Sequence, residues 1–243
     1  MWKARVGWLL LWPLAAAAAP TTAPVTPGAA TRPTTRPAEP APDYAEMAAQ
    51  SLIQTVRAGR EPQLVSAASE ALAVLGAKAV PALAKLQSDA DPMVHARIVE
   101  IAAAMNDRTA AVPLFVAALK DPQAPIRDSA LAHLRFANVT DASAVCAAAD
   151  ALHDPDTDVR QTALEYLTNL GESAAPAVSR LARSLDSRAI RILAGIGPRA
   201  DAAVPALLKF YQDASRPKED RVDAVIAVSR ILGKPVPTTQ PAK

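Results

Sequence analysis

The sequence predicts an all-α solenoid, a stack of similar helix pairs, and three observations carry that reading. The first is a recurring Ala/Val-Pro element: Ala79-Val80-Pro81-Ala82-Leu83, Ala111-Val112-Pro113-Leu114, Ala175-Pro176-Ala177-Val178 and Ala203-Val204-Pro205-Ala206-Leu207. Its prolines stand 32, 63 and 29 residues apart. The double step hides Ser143-Ala144-Val145-Cys146, whose cysteine lies 33 residues after Pro113. The second is a set of Asp-Pro turns, and the third is apolar spacing of helical period between them. Self-similarity at such a step marks stacked supersecondary units.

Taken in order, residues 1–18 read as a signal peptide. Lys3 and Arg5 precede an apolar run from Val6 to Ala18, and Ala16 and Ala18 form the small-x-small pattern of a cleavage site. The run contains Pro13 and is shorter than the ~20 residues that span a bilayer. No cysteine lies near the expected mature start at Ala19, so the expectation is an exported, periplasmic or extracellular protein without a lipid anchor or membrane span. Residues 19–43 are rich in Pro, Thr and Ala and are expected to be a disordered linker, because they hold too little apolar surface to offset ordering entropy. Residues 235–243 have the same character and are read as a disordered tail.

Residues 44–234 form the repeat domain. Between repeats lie Ser88-Asp89-Ala90-Asp91-Pro92, Lys120-Asp121-Pro122 and His153-Asp154-Pro155-Asp156, where Asp supplies an N-cap and Pro loses no helical hydrogen bond. Within repeats, Gly76, Asn106-Asp107, Gly171 and Gly197 suit the left-handed caps that end helices. First helices align as Ile126-Arg127-x-x-Ala130-Leu131-x-x-Leu134 and Val159-Arg160-x-x-Ala163-Leu164-x-x-Leu167, with Val94-His95-x-x-Ile98-Val99 a diverged copy. That spacing places the apolar residues on one helix face.

This combination resembles the bacterial HEAT repeat, including the PBS-lyase HEAT-like subgroup of armadillo-type solenoids, over roughly residues 60–233. The resemblance implies a right-handed α-α superhelix of about five to six HEAT-like helix pairs, with second helices lining the concave side. It also implies that Arg127 and Arg160, near Asp128 and Asp158, tie neighbouring repeats together. Departures are His95 at the repeat Arg position, the missing Pro at Cys146, and a shortened first helix in the unit at 186–212.

Composition narrows the function. The three Trp all fall within residues 1–18, so the mature core is built from Ala, Leu, Val and Ile, which poorly suits an aromatic ligand cage. Removing Lys3 and Arg5 leaves 24 basic and 24 acidic side chains, which is not the footprint of a nucleic-acid binder. The charge is segregated, with net −6 over residues 19–178 and +6 over 179–243. Cys146, the single cysteine, rules out an intramolecular disulfide and is read as a buried, inert thiol on an apolar stripe.

Numbered from each proline, positions −1, +2 and +5 of the second helices read as core, whereas +4 and +7 flank it. Position +4 carries Lys85, Ala117, Asp150, Arg180 and Lys209, and position +7 adds Lys120, Arg183 and Gln212. Arg180, Arg183 and Lys209, with Tyr211 alongside, are expected to form a basic patch near the C-terminal end, and Lys85 and Lys120 extend the candidate partner surface. It would take an acidic peptide, polysaccharide or lipid headgroup; a solvated face with local ion pairs is the alternative. Asp154, Asp156, Asp158 and Glu165 imitate a calcium loop, but Val159 stands where the loop needs Gly, so N-capping is the better account. His95, His133 and His153 sit on different repeats, and no phosphate loop, nucleophile elbow or zinc signature is present. The reading is a non-catalytic scaffold without cofactor or metal that binds a protein or peptide, with an acidic one as the expected kind. Alternatives are a bilin lyase or chaperone, which the resemblance raises, a cell-envelope structural protein, and DNA-base chemistry as in HEAT-fold glycosylases, which export and neutral charge oppose.

Overall fold

Helices that carry one apolar stripe each must find a partner for it, and in this chain they do so in two layers. A computed structural model describes residues 44–59, 61–88 and 91–234. The expectations for residues 1–18, 19–43 and 235–243 lie outside the described residues. The described ones form α1 (Tyr44–Ala58), α2 (Pro62–Leu75), α3 (Val80–Leu86), α4 (Pro92–Ala104), α5 (Arg108–Ala118), α6 (Ala124–Phe136), α7 (Ala142–Ala151), α8 (Thr157–Leu170), α9 (Val178–Arg183), α10 (Ser187–Ile196), α11 (Val204–Gln212) and α12 (Lys218–Leu232). Strands are absent among them. Helices α2, α4, α6, α8 and α10 each contact the next first helix, ending on α12, while α3, α5, α7, α9 and α11 make the parallel series of second helices. Five complete pairs therefore stack in chain order. Helix α1 packs on α2 at one end, and α12 closes on α10 and α11 at the other. The all-α repeat fold expected from the sequence is the one observed.

The starts of the helices follow from local chemistry. Asp91, Asp107, Asp141, Asp156 and Asp186 are N-caps in extended conformation, each accepting backbone N–H bonds from the first turn. The expected capping role holds for Asp91, which precedes Pro92, but not for the other Asp-Pro pairs. Asp121 and Asp154 stand two residues before the true N-caps, Gln123 and Asp156, and accept those residues' N–H groups. Their carboxylates are thereby aimed back at the preceding repeat.

Second helices start in two ways. Gly76, Gly171 and Gly197 adopt φ of 54°, 52° and 66° with ψ of −125°, −123° and −139°. That region is open to glycine and strained for any side chain. Each begins a 3-10 segment (Gly76–Lys78, Gly171–Ala177, Gly197–Ala203) leading into α3, α9 and α11. Helices α5 and α7 instead begin directly from Asp107 and Asp141, so the proline register falls inside α5 at Pro113 and at Cys146 in α7. Wherever proline occupies that register, at Pro81, Pro113, Pro176 and Pro205, its ring is exposed. The shortened first helix is α10, with 10 residues against 14 in α8.

The core follows the expected stripe fully at +2, leaves Val80, Ala175 and Val204 at −1 and Leu86 at +5 only partly buried, and adds one position. On first helices Ala130, Leu131, Leu134, Val159, Ala163 and Leu167 have no exposure, whereas Leu164 is only partly buried. Each fully buried leucine contributes about 1.5–3 kcal/mol relative to exposure. On second helices Leu83, Phe115, Ala148, Val178 and Leu207 at +2 are buried. Two residues before the proline register stand Ala79, Ala111, Ala144, Ala174 and Ala203, an alanine in every repeat, all at 0% exposure. A methyl is the largest group that position holds.

Two outcomes follow. Ala144→Leu will overpack the junction and lower stability by about 1–3 kcal/mol in urea unfolding. Gly171→Ala meets no closer atom than Gly195 O at 4.0 Å, so its cost of about 1–2 kcal/mol is purely conformational. Gly195→Ala, inside α10 with open space around it, will instead raise stability by up to about 1 kcal/mol.

Candidate functional site

The two layers use their polar side chains differently. In the first-helix layer they are spent on ties between repeats. The Arg127 guanidinium, only 8% exposed, donates Nε and Nη2 to the two oxygens of Asp154 in the next repeat, both at 2.7 Å. Its Nη1 donates to the carbonyls of Asp121 and Pro122 at 2.8 and 3.0 Å. Its sequence neighbour Asp128 makes a separate tie to the next repeat, accepting from the Thr162 hydroxyl at 2.6 Å. Arg160 holds its own turn, donating to the carbonyls of Asp154 and Pro155 and to Thr157 Oγ1, and Asp158 lies in the first turn of α8. His95 occupies the Arg register one repeat earlier and places Nδ1 2.5 Å from Asp121 Oδ2. Tyr166, with no exposed surface, donates its hydroxyl to the Val139 carbonyl at 2.5 Å, and burial pushes its pKa above the ordinary phenol value. Arg135 pairs with Glu165 across the same junction.

The imitation calcium loop dissolves into these ties. Asp154 belongs to Arg127, Asp156 caps α8, and Glu165 accepts from Arg135 and Gln161. His133 stacks on Phe115 with centroids 5.9 Å apart, and burial lowers its pKa. His153 Nε2 lies 2.8 Å from Ser184 Oγ. Among the described residues no three His, Cys, Asp or Glu side chains cluster to hold a metal ion. None of the described helices alone is long and apolar enough to cross a membrane.

The second-helix layer turns positions +4 and +7 outward. Lys85, Asp150 and Lys209 at +4 are exposed, as are Ser88, Lys120, His153, Arg183 and Gln212 at +7, while Ala117 and Arg180 are half-buried. The candidate residues do not form one patch. Arg180 Nη1 reaches both oxygens of Asp150, at 2.9 and 2.7 Å, so the middle of the ridge is paired. Exposed pairs of this kind contribute little stability. Tyr211 is separated by helical phase: it faces α12, where Arg221 donates Nε to its carbonyl at 2.7 Å and holds Cζ 5.7 Å from its ring. Cys146 is a further correction. It is half-buried rather than core, with Sγ donating to the Pro176 carbonyl at 3.4 Å, because it fills the outward register that proline takes elsewhere.

Among the described residues, grooves lie between the C-terminal ends of successive second helices. One, of about 350 Å³, lies between α3 and α5 and is lined by Gln87, Ser88, His95, Lys120 and Asp121 among others. Another, of about 640 Å³, lies between α9 and α11. Arg183 and Lys209 face it, joined by Arg216 and Asp213 from the loop before α12. Arg216 was not singled out in the sequence because no repeat register places it. Its guanidinium stacks 5.0 Å from the Phe210 ring. Both volumes fall in the range of ligand-sized clefts.

No protein-family model and no curated protein matches the sequence. Among solved structures, a designed armadillo repeat protein in complex with a (KR)4 peptide is similar, with 18% identity, 75% of this chain and 98% of that chain covered, and a TM-score of 0.40. A second designed armadillo repeat protein shows 20% identity, coverage of 75% and 99%, and a TM-score of 0.38. An engineered protein shows 21% identity, coverage of 76% and 96%, and a TM-score of 0.41.

The Arg127–Asp154 tie is testable. Removing one partner leaves a poorly hydrated charge, so Arg127→Ala will cost about 3 kcal/mol in urea unfolding. The paired change Arg127→Met with Asp154→Leu will cost less than either single loss. The bond from Arg127, foremost, holds the Asp154 carboxyl below its ordinary value. A depressed carboxylate contributes stability above its unfolded pKa of about 3.9 and loses it as pH falls through the folded value. Asp154→Asn will therefore remove part of the acid-side decline below pH ~4, measured by urea midpoints across pH.

Proposed function

We propose that this chain is an exported, non-catalytic scaffold that binds another protein along the ridge formed by positions +4 and +7 of its second helices. The observation that carries the reading is the division of labour between layers. Polar side chains of the first helices reach into neighbouring repeats through Arg127, Arg135, Tyr166 and Thr162, whereas those at +4 and +7 of the second helices mostly point to solvent. A surface repeated at a fixed step suits contacts distributed over several repeats. The non-catalytic reading rests on the separation of the three histidines, which sit on different repeats with different partners: His95 with Asp121, His133 with Phe115 and His153 with Ser184. Export rests on the cationic start and apolar run of residues 1–18.

Photo-crosslinking checks the surface. Benzoylphenylalanine at positions 117, 150 and 209 is expected to label one common partner in envelope extract, while positions 100, 161 and 191 on the first-helix layer label none. Equal labelling from both layers would reject the ridge. N-terminal sequencing of the secreted chain is expected to begin near Ala19; recovery of only the uncleaved chain in the cytoplasm rejects export.

A further inference from the structure

The groove between α9 and α11 gathers cations that have spare donors and no acid left to pair with. Arg183 spends Nε on the Ser179 carbonyl of its own helix, at 3.2 Å, and its Nη groups have no hydrogen bond among the described residues. Lys209 makes no ion pair among them, although it lines the same groove. Arg216 uses one edge on Asp213, Nε to Oδ2 at 3.3 Å, and one face on Phe210. A guanidinium offers five N–H donors, so its Nη groups remain available. Asp213 is the single acid lining the groove, and it is already engaged. It accepts from the Ser215 hydroxyl at 2.6 Å, the Ser215 N–H at 3.0 Å and Arg216, with the Ser215 hydroxyl foremost in lowering its pKa. Ala182, Leu185 and Ala206 supply an apolar wall beside these charges.

We propose that this groove binds an acidic peptide segment of a partner protein, with its carboxylates on Arg183, Lys209 and Arg216 and an apolar side chain against Leu185 and Ala206. The inference rests on the second-helix face being the binding face and names the partner chemistry for one part of it. Charge complementarity selects carboxylates: three cations face one committed acid, within a segment from 179 to 243 that carries net +6. The apolar wall selects a peptide over a purely anionic polysaccharide, which would leave Ala182, Leu185 and Ala206 unmatched. A concave, partly apolar wall also raises the effect of each charge over that of an open surface. On the same ridge Arg180 is committed to Asp150, so the site begins one turn further on, at Arg183.

The test uses the secreted full-length mature chain and a fluorescein-labelled Glu-Glu-Leu-Glu-Glu peptide, read by fluorescence polarisation at about 50 mM salt, where screening is weak. The wild type is expected to bind it, and not a Gln-Gln-Leu-Gln-Gln control. Arg183→Glu with Lys209→Glu is expected to weaken binding about tenfold or more, and Arg216→Gln by about threefold or more. Arg191→Glu, exposed on the first-helix layer, is expected to change it less than about twofold. The milder Arg183→Gln with Lys209→Gln, checked by circular dichroism, separates lost binding from lost folding. The proposal is overturned if the wild type does not bind the acidic peptide, if Arg191→Glu weakens it as much as the double reversal, or if a heparin hexasaccharide competes more strongly than unlabelled peptide. Those failures leave crosslinking from positions 117, 150 and 209 intact, whereas failure of the ridge itself abolishes that crosslinking as well.

Discussion

Five alanines set the terms of this structure. Ala79, Ala111, Ala144, Ala174 and Ala203 stand at one register, inside or just before the five second helices, and have no exposed surface. A core without tryptophan and with few aromatics gains its density from close approach of helix backbones rather than from bulky side chains. A single methyl at this register sets how near the layers come, and the longer residues at +2 and on the first helices fill what remains. The glycines before α3, α9 and α11 serve the same end, since their positive φ lets the chain turn sharply enough to start the next helix beside the last. Because each pair meets only its neighbours in the stack, the same solution has to be found at every junction.

Close packing in turn separates the polar groups. Where a guanidinium is drawn into a junction, as Arg127 is, it needs a full set of acceptors, and the Asp-Pro turns provide them through the Asp154 carboxylate and the carbonyls of Asp121 and Pro122. On the other layer the exposed proline rings mark the outward register, and the +4 and +7 side chains rise beside them. The first-helix layer is thereby given mainly to cohesion, whereas the second-helix layer pairs Arg180 with Asp150 and His153 with Ser184 and exposes most of its other +4 and +7 side chains.

Much of this was legible in the chain itself. The spacing of Pro81, Pro113, Pro176 and Pro205 counts the repeats, the apolar spacing after Ile126 and Val159 names the buried face, and the glycine breaks locate the starts of second helices. These features are local, and the helical period with steric limits on φ suffices to read them. The partnerships were not legible, because they join residues about 30 apart whose directions depend on how pairs stack. Arg127 reaches Asp154 rather than its sequence neighbour Asp128, and Asp121 and Asp154 serve the previous repeat as well as the turns before their own helices. Cys146 belongs to the proline register and so turns outward, although its neighbours Val145 and Ala148 are core.

The basic face shows the same boundary most sharply. Sequence periodicity places Arg180, Arg183 and Lys209 on one side of their helices, and composition places excess positive charge toward the C-terminal end. Only the tertiary structure pairs Arg180 with Asp150, turns Tyr211 toward Arg221 and brings Arg216 over Phe210 into the groove of Arg183 and Lys209. The sequence by itself determined the repeat, the helix pairs and the buried stripes, since those arise from interactions within a few residues. The stacking of one pair on the next decided which charges are neutralised and which remain open, since that depends on distances between repeats that no local pattern encodes.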